Sequence, residues 1–201
     1  MRCVTAQIND KVFHRKVAYS IAGISGSGLF EPQAHGIEPV SMSSACWRGY
    51  YVEYAIEDSQ LILTQVTLGL SKGDELRAKA GYGPPLFDIL PRQESQRCAW
   101  VYGPLHVPMS FTGGLLLADG FIRELYVHMG FHPAWKYRQV REVLLEGGQL
   151  TDDFDRSAQM EDARTRFSAQ PLKPDLAEGR QRMTEWIEQC FSRDYTRKRG
   201  G

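Results

Sequence analysis

The chain has 201 residues, 42 % of them hydrophobic and 24 % charged, and its 24 basic side chains are balanced by 24 acidic ones. That length suits one domain with a core that needs no staples, and the composition excludes collagen-like, disulfide-scaffold and largely disordered chains. Zero net charge argues against a general nucleic-acid binder, which needs a positive excess to displace counterions from phosphates.

No apolar run approaches the roughly 20 residues of a membrane span. Arg2, Gln7, Asn9, Asp10 and Lys11 interrupt any signal-peptide core. The expectation is a cytoplasmic protein whose Cys3, Cys46, Cys98 and Cys190 stay reduced. None of the four forms a C-x-x-C pair, and their spacings fit no zinc site. The basic cluster Arg193, Arg197, Lys198 and Arg199 reads as a solvated tail after a helix. No cofactor is expected.

Residues 4–22 predict a first strand pair. Val4, Ala6 and Ile8 alternate with Thr5 and Gln7, Asn9-Asp10 marks a turn, and Val12 and Phe13 resume the pattern. Residues 24–38, rich in Gly and Ser with Pro32 and Gly36, read as a flexible loop. Their glycine spacing invites a phosphate-loop reading, but no Gly-Lys-Ser/Thr follows. The clearest element begins at Trp47. Tyr50, Val52, Tyr54 and Ile56 share one face, with Tyr51, Glu53, Ala55 and Glu57 on the other. Asp58-Ser59 turns the chain, and residues 61–68 return, with Leu61 and Leu63 opposed to Ile62, Thr64, Val66 and Leu68. Residues 69–110 lack strong periodicity and read as a long functional or mobile loop, containing one short strand at 98–102.

A second hairpin is predicted from Leu115, Leu116 and Leu117 through the Asp119-Gly120 turn into residues 121–129. It places Phe121, Leu125, Val127 and Met129 on one face and Ile122, Glu124, Tyr126 and His128 on the other. The two hairpins resemble each other, as a pseudo-repeat would. A third strand pair, 140–145 and 149–154, flanks Glu146-Gly147-Gly148. Asp155 or Ser157 then caps a short polar helix to about Phe167. After Pro171 and Pro174, Asp175 and Glu178 form a capping box. The helix behind them carries Leu176, Met183, Ile187 and Cys190 on one stripe, fit to dock on the sheet. The expected architecture is one α+β domain: a curled or barrel-like antiparallel sheet of about six to eight strands over 1–155, with a helical segment over 156–201.

Few constellations carry chemistry. Glu124, Tyr126 and His128, two apart on a strand, would share a face. A carboxylate, a phenol and an imidazole there suit acid–base catalysis, though the same row also suits the wet face of an amphipathic strand. His128 and His132 have the spacing of a helical metal pair, with His106 or Asp119 as a distant third ligand. Gly130 and Pro133 argue against the helix, so no metal site is expected. Cys46 reads as a buried, inert thiol. The acidic run 151–155 lacks the glycine and distal glutamate of a calcium loop. Aromatic side chains are abundant: Trp47, Tyr50, Tyr51, Tyr54, Trp100, Tyr102, Tyr126, Phe131, Trp135 and Tyr137. Alternation cannot bury both Tyr50 and Tyr51 on one face. Outward-facing tyrosine and tryptophan favour a protein interface; packing beneath the 69–110 segment is the other option.

The run Trp47-Arg48-Gly49-Tyr50, continuing through Tyr54, Ile56, Asp58, Leu61 and Leu63, resembles a widespread set of uncharacterised bacterial proteins, where it reads W-R-G-Y-x-x-x-W-x-I-x-D-x-x-L-Y-L. Tyr126-Val127-His128-Met129-Gly130-Phe131 is similar to that set's Y-V-H-M-G-Y. The resemblance spans residues 44–150. Here Tyr54 stands for the tryptophan, and Asp119-Gly120 for a Pro-x-Gly. It implies a bacterial cytosolic protein with shared strand pairing, and no particular activity. Three functional readings follow. The first is a non-catalytic interaction module, such as an inhibitor or immunity-type partner of a toxin, binding another protein through Trp47, Arg48, Tyr50, Tyr51, Trp100, Tyr102, Phe131 and Trp135. The second is a hydrolase using Glu124, Tyr126 and His128, with His132 or Asp119 assisting. The third is a small-ligand carrier, should the sheet close around a cavity.

Overall fold

The computed structural model describes residues 6–93, 99–126 and 130–168. Its elements, in chain order, are β1 (Lys11–His14), β2 (Val17–Ser27), a 3-10 turn (Pro32–His35), β3 (Tyr50–Glu57), β4 (Gln60–Leu68), α1 (Lys72–Lys79), β5 (Arg92–Gln93), β6 (Trp100–Tyr102), β7 (Val107–Pro108), β8 (Thr112–Phe121), β9 (Tyr137–Glu146), β10 (Gln149–Asp155) and α2 (Ser157–Ser168). Two further 3-10 turns, Arg123–Leu125 and Ala134–Lys136, lie between β8 and β9.

The strands close into a barrel-like ring in the order β10-β9-β8-β2-β1-β3-β4, and Gln149 pairs Gln60 to join β10 back to β4. Leu150 N–H donates to Ser59 O at 2.7 Å and Leu61 N–H to Gly148 O at 2.8 Å across the same seam. Further along β4 its free edge takes β7 and then β6, which carries β5. The expected α+β class and curled sheet are therefore present. One pairing departs from the antiparallel expectation, because β1 runs parallel to β3, with Lys11 opposite Glu53.

The barrel interior is filled by Val12, Ile21, Val52, Tyr54, Leu61, Leu63, Val66, Leu68, Leu115, Leu117, Val143 and Leu145, all nearly or wholly buried. Strict alternation along residues 61–68 would set Leu61 and Leu63 against Val66 and Leu68. The structure corrects this with a β-bulge. Glu53 pairs Gln65 while Tyr54 pairs Leu63, so Thr64 is an extra residue. Its hydroxyl donates to Glu53 O at 2.9 Å. The extra residue shifts the parity of the strand, and all four apolar side chains point inward. A second bulge between Ile21 and Gly23 does the same for β2.

Outside the ring, Ala22, Leu116, Ala118, Ala134, Tyr137 and Val140 form a smaller core, onto which Met160 of α2 packs. α2 is the short polar helix expected after residue 155. Ser157 Oγ accepts the Val140 N–H at 3.1 Å, and Arg164 donates to Trp135 O and Tyr137 O at 2.9 and 2.7 Å. The helix expected after Asp175 lies outside the described residues.

Four expectations are corrected. The first hairpin turns at Arg15-Lys16, both at positive φ (50° and 68°), and not at Asn9-Asp10. Residues 24–27 belong to β2 rather than a loop. The 69–110 segment contains α1, whose N-cap Ser71 accepts the Asp74 N–H at 3.2 Å. Asp119-Gly120 is no hairpin turn: β8 runs straight through it to Phe121 and pairs with β9 down to Tyr137. Gly120 alone has positive φ, whereas a tight two-residue turn of that type needs it at both positions. The pseudo-repeat goes with that hairpin. By contrast, the turns at Asp58-Ser59 and Gly147-Gly148 carry two consecutive positive φ values and fall where the sequence put them.

Candidate functional site

β1 begins at Lys11, but its neighbours continue past it. Ser20 is the β2 partner of Lys11, yet β2 extends to Ser27; Glu53 is its β3 partner, yet β3 begins at Tyr50. Asp10 occupies the point where the ladder stops. Its carbonyl accepts the Ile21 N–H at 2.8 Å, and its carboxylate accepts the Val52 N–H at 2.9 Å. The side chain thus replaces a ladder bond that β1 no longer supplies.

The same carboxylate takes a hydrogen bond and ion pair from Arg48 Nη2. Arg48 Nε donates to Tyr50 O at 2.7 Å, and its guanidinium lies 4.4 Å from the Tyr50 ring centroid. The tight bend before β3 that carries this arginine uses Gly49 at φ +77°, where a Cβ would sit 2.7 Å from Val40 O. Burial works against the Arg48 charge, but the neighbouring Asp10 carboxylate outweighs it, so the guanidinium stays charged. The Asp10 side chain is 5 % exposed and that of Arg48 26 %.

Beside this pair lies a cavity of about 250 Å³, lined by Ile24, Ser27, Leu29, Phe30, Glu31 and Phe111 together with Asp10, Arg48 and Tyr50. Gly26 and Gly28 complete the wall at positive φ. A Cβ on Gly26 would fall 2.2 Å from Thr112 O, so glycine lets β2 lie against β8 here. Tyr54 stands beneath, its hydroxyl accepting the Phe30 N–H at 3.1 Å. Burial, with the Asp10 charge nearby, pushes its phenol well up, so it remains protonated. Cys46 is buried behind Arg48; burial pushes its thiol up as well, consistent with an inert group.

The remaining sequence candidates are dispersed. Arg48 and Tyr50 line the cavity. Trp47 is 56 % exposed, and Tyr51 is half-buried. Trp100 and Tyr102 pack inside the core, and Tyr102 donates to Pro84 O at 2.9 Å beneath the 69–110 segment. Phe131 and Trp135 are half-buried. Glu124 and Tyr126 share no strand face, because residues 123–125 form a 3-10 turn with Tyr126 as its cap. His128 lies outside the described residues. His132 is buried between Phe121 and Tyr126, at 4.6 and 5.2 Å between ring centroids, with neither ring nitrogen hydrogen-bonded among the described residues. Burial and then the Lys136 charge push it down to about 4. His106 instead faces Glu57 at 3.3 Å on the surface.

The sequence reading missed Asp10 by taking Asn9-Asp10 as a turn, and it missed Phe30, Glu31 and Phe111 altogether. The Asp10–Arg48 pairing spans 38 residues, and no local signal announces it. At the far end of the barrel, Asp153 binds His14 Nε2 at 2.8 Å, Arg141 Nε at 2.7 Å and Arg15 Nη2 at 2.9 Å. These groups bond one another and leave the first cavity as the better-formed site. Compared with protein-family models, curated proteins and solved structures, the chain matches none of them.

Proposed function

We propose that this chain is a small-ligand-binding β-barrel that takes its ligand in the cavity walled by Asp10, Arg48 and Tyr50. The carrying observation is the placement of a largely desolvated ion pair against an open cavity whose lining is part polar and part apolar. Such a pair costs desolvation energy and is a poor stabiliser compared with apolar packing. A concave apolar site with a few convergent polar groups is the usual form of a small-molecule site. The barrel reading is preferred to the interaction-module reading because Trp100 and Tyr102 are inside the core and Tyr50 borders the cavity. It is preferred to the hydrolase reading because Glu124 and Tyr126 are not presented together on a strand.

Fragment binding followed by amide chemical shifts tests the proposal. Saturable shifts should gather at Ile24, Leu29, Phe30, Tyr50 and Phe111, and Leu29→Trp, which fills the cavity, should remove them. Shifts scattered over the surface without saturation would sink it.

A further inference from the structure

Resting on that cavity reading, we infer that the site takes a small monocarboxylate, its carboxylate on Arg48 and its apolar body against Ile24, Leu29, Phe30 and Phe111. The geometry of the guanidinium carries this. Nε donates to Tyr50 O and Nη2 to Asp10, so both protein contacts use one edge of the group. Its flat face lies over Tyr50. Nη1 makes no hydrogen bond among the described residues, and one Nη2 proton is also unused, which leaves a fork of parallel donors along the second edge. Arg48 lines the cavity with its side chain 26 % exposed. A planar carboxylate matches such a fork in a bidentate way that a hydroxyl or amide cannot. Asp10 and Tyr50 hold the fork in position before any ligand arrives, so little ordering cost remains at binding.

The charge inventory narrows the class. The cavity is lined by one cation, Arg48, and two anions, Asp10 and Glu31. Asp10 is already compensated by Arg48, while Glu31 stands exposed at the rim. A dianion such as phosphate would meet a surrounding charge of net negative sign, whereas a monoanion needs only the fork. The volume of about 250 Å³ matches roughly eight waters at ~30 Å³ each, the bulk of a short fatty acid or a single aromatic acid.

Calorimetric titration of the full chain with benzoate, hexanoate, benzyl alcohol, hexan-1-ol and inorganic phosphate tests the inference, using wild type, Arg48→Lys, Glu31→Gln and Leu29→Trp. Charge-assisted hydrogen bonds should favour each carboxylate over its alcohol by about tenfold or more. Phosphate should bind no better than the alcohols. Arg48→Lys should erase the carboxylate preference while leaving alcohol binding in place. Should that variant not fold, Glu31→Gln still decides, since it should tighten carboxylate binding and leave the alcohols unchanged. Leu29→Trp should abolish all binding. Alcohols equal to the acids, phosphate the tightest probe, or Glu31→Gln weakening the acids would each overturn the monocarboxylate assignment and leave the cavity reading standing. No heat from any probe would overturn both.

Discussion

Asp10 is the residue on which the site turns. Its carboxylate accepts the buried Val52 N–H and holds Arg48, so removing it strands both a desolvated amide and a desolvated cation. Asp10→Ala should therefore cost about 3 kcal/mol or more, the range for breaking one side of a buried pair. Asp10→Asn, which still accepts one hydrogen bond, should cost distinctly less. Urea midpoints at unchanged slope measure both, and equal losses would show that the acceptor kept by asparagine contributes nothing and that the lost charge opposite Arg48 accounts for the whole cost. One layer down, Tyr54→Phe deletes the only acceptor of the Phe30 N–H among the described residues. A loss of about 1–2 kcal/mol is expected from an orphaned buried donor. The side chains of this network were legible individually, with Arg48 and Tyr50 singled out and Tyr54 set on the same face as Tyr50. Asp10 was not, because an Asn-Asp pair has the local chemistry of a turn, and only burial beside β3 gives its carboxylate another task.

At the level of elements, the bulge at Thr64 and the segment between β8 and β9 are the informative cases. Deleting Thr64 restores unbroken alternation and would rotate either Leu61 and Leu63 or Val66 and Leu68 out of the core. The deletion should abolish cooperative folding, visible as lost dispersion in amide spectra. Replacing Thr64 by Ala keeps the extra residue and loses only the bond to Glu53 O, a cost of about 1 kcal/mol. His132 makes the β8–β9 connection sensitive to acid. Its folded value of about 4 lies below the ordinary 6.5, so the unfolded chain binds a proton more readily than the folded one. Stability is therefore full above pH 6.5 and lost as pH falls toward 4, by an amount on the order of 2–3 kcal/mol. His132→Phe, an apolar ring in an aromatic slot, should flatten Tm between pH 6.5 and 4. An unchanged slope would place the acid sensitivity elsewhere. Asp153 acts lower on the scale. Burial raises its carboxyl, but hydrogen bonds from Arg141 and His14 and the arginine charges outweigh this and hold it below the ordinary carboxylate value. Its contribution is lost only as pH falls below that ordinary value.

For the molecule as a whole, closure depends on a narrow seam. β10 meets β4 through one residue pair, and the chain there passes through Gly147 and Gly148 at φ +56° and +88°. A Cβ on Gly148 would lie 1.8 Å from Met109 O, while one on Gly147 meets nothing within 4 Å. Gly147→Ala should cost about 1 kcal/mol from backbone strain alone. Gly148→Ala should cost at least twice that, because the seam must part from the β7 side. Thermal unfolding of the two variants compares them directly, and equal losses would mean that the seam is not what closes the ring. Among the described residues no helix is long and apolar enough to cross a membrane.

Period-two patterning and paired turn residues determined the hairpins at 58–59 and 147–148, β propensity the short strand expected at 98–102 and found at Trp100–Tyr102, and a capping residue the short helix after residue 155, since each of those signals acts within a few residues. The same local logic failed at Asp119-Gly120 and at Asn9-Asp10, where favourable turn chemistry lies inside or beside a strand held by distant partners. α1 was missed because Ala78 is its only buried residue, so it shows no apolar stripe. The parallel β1–β3 pair, the bulges that restore the core face and the Asp10–Arg48 cavity were decided by tertiary structure alone. Each depends on which strands become neighbours once the ring closes, and contacts between residues tens of positions apart leave no periodic trace in the chain.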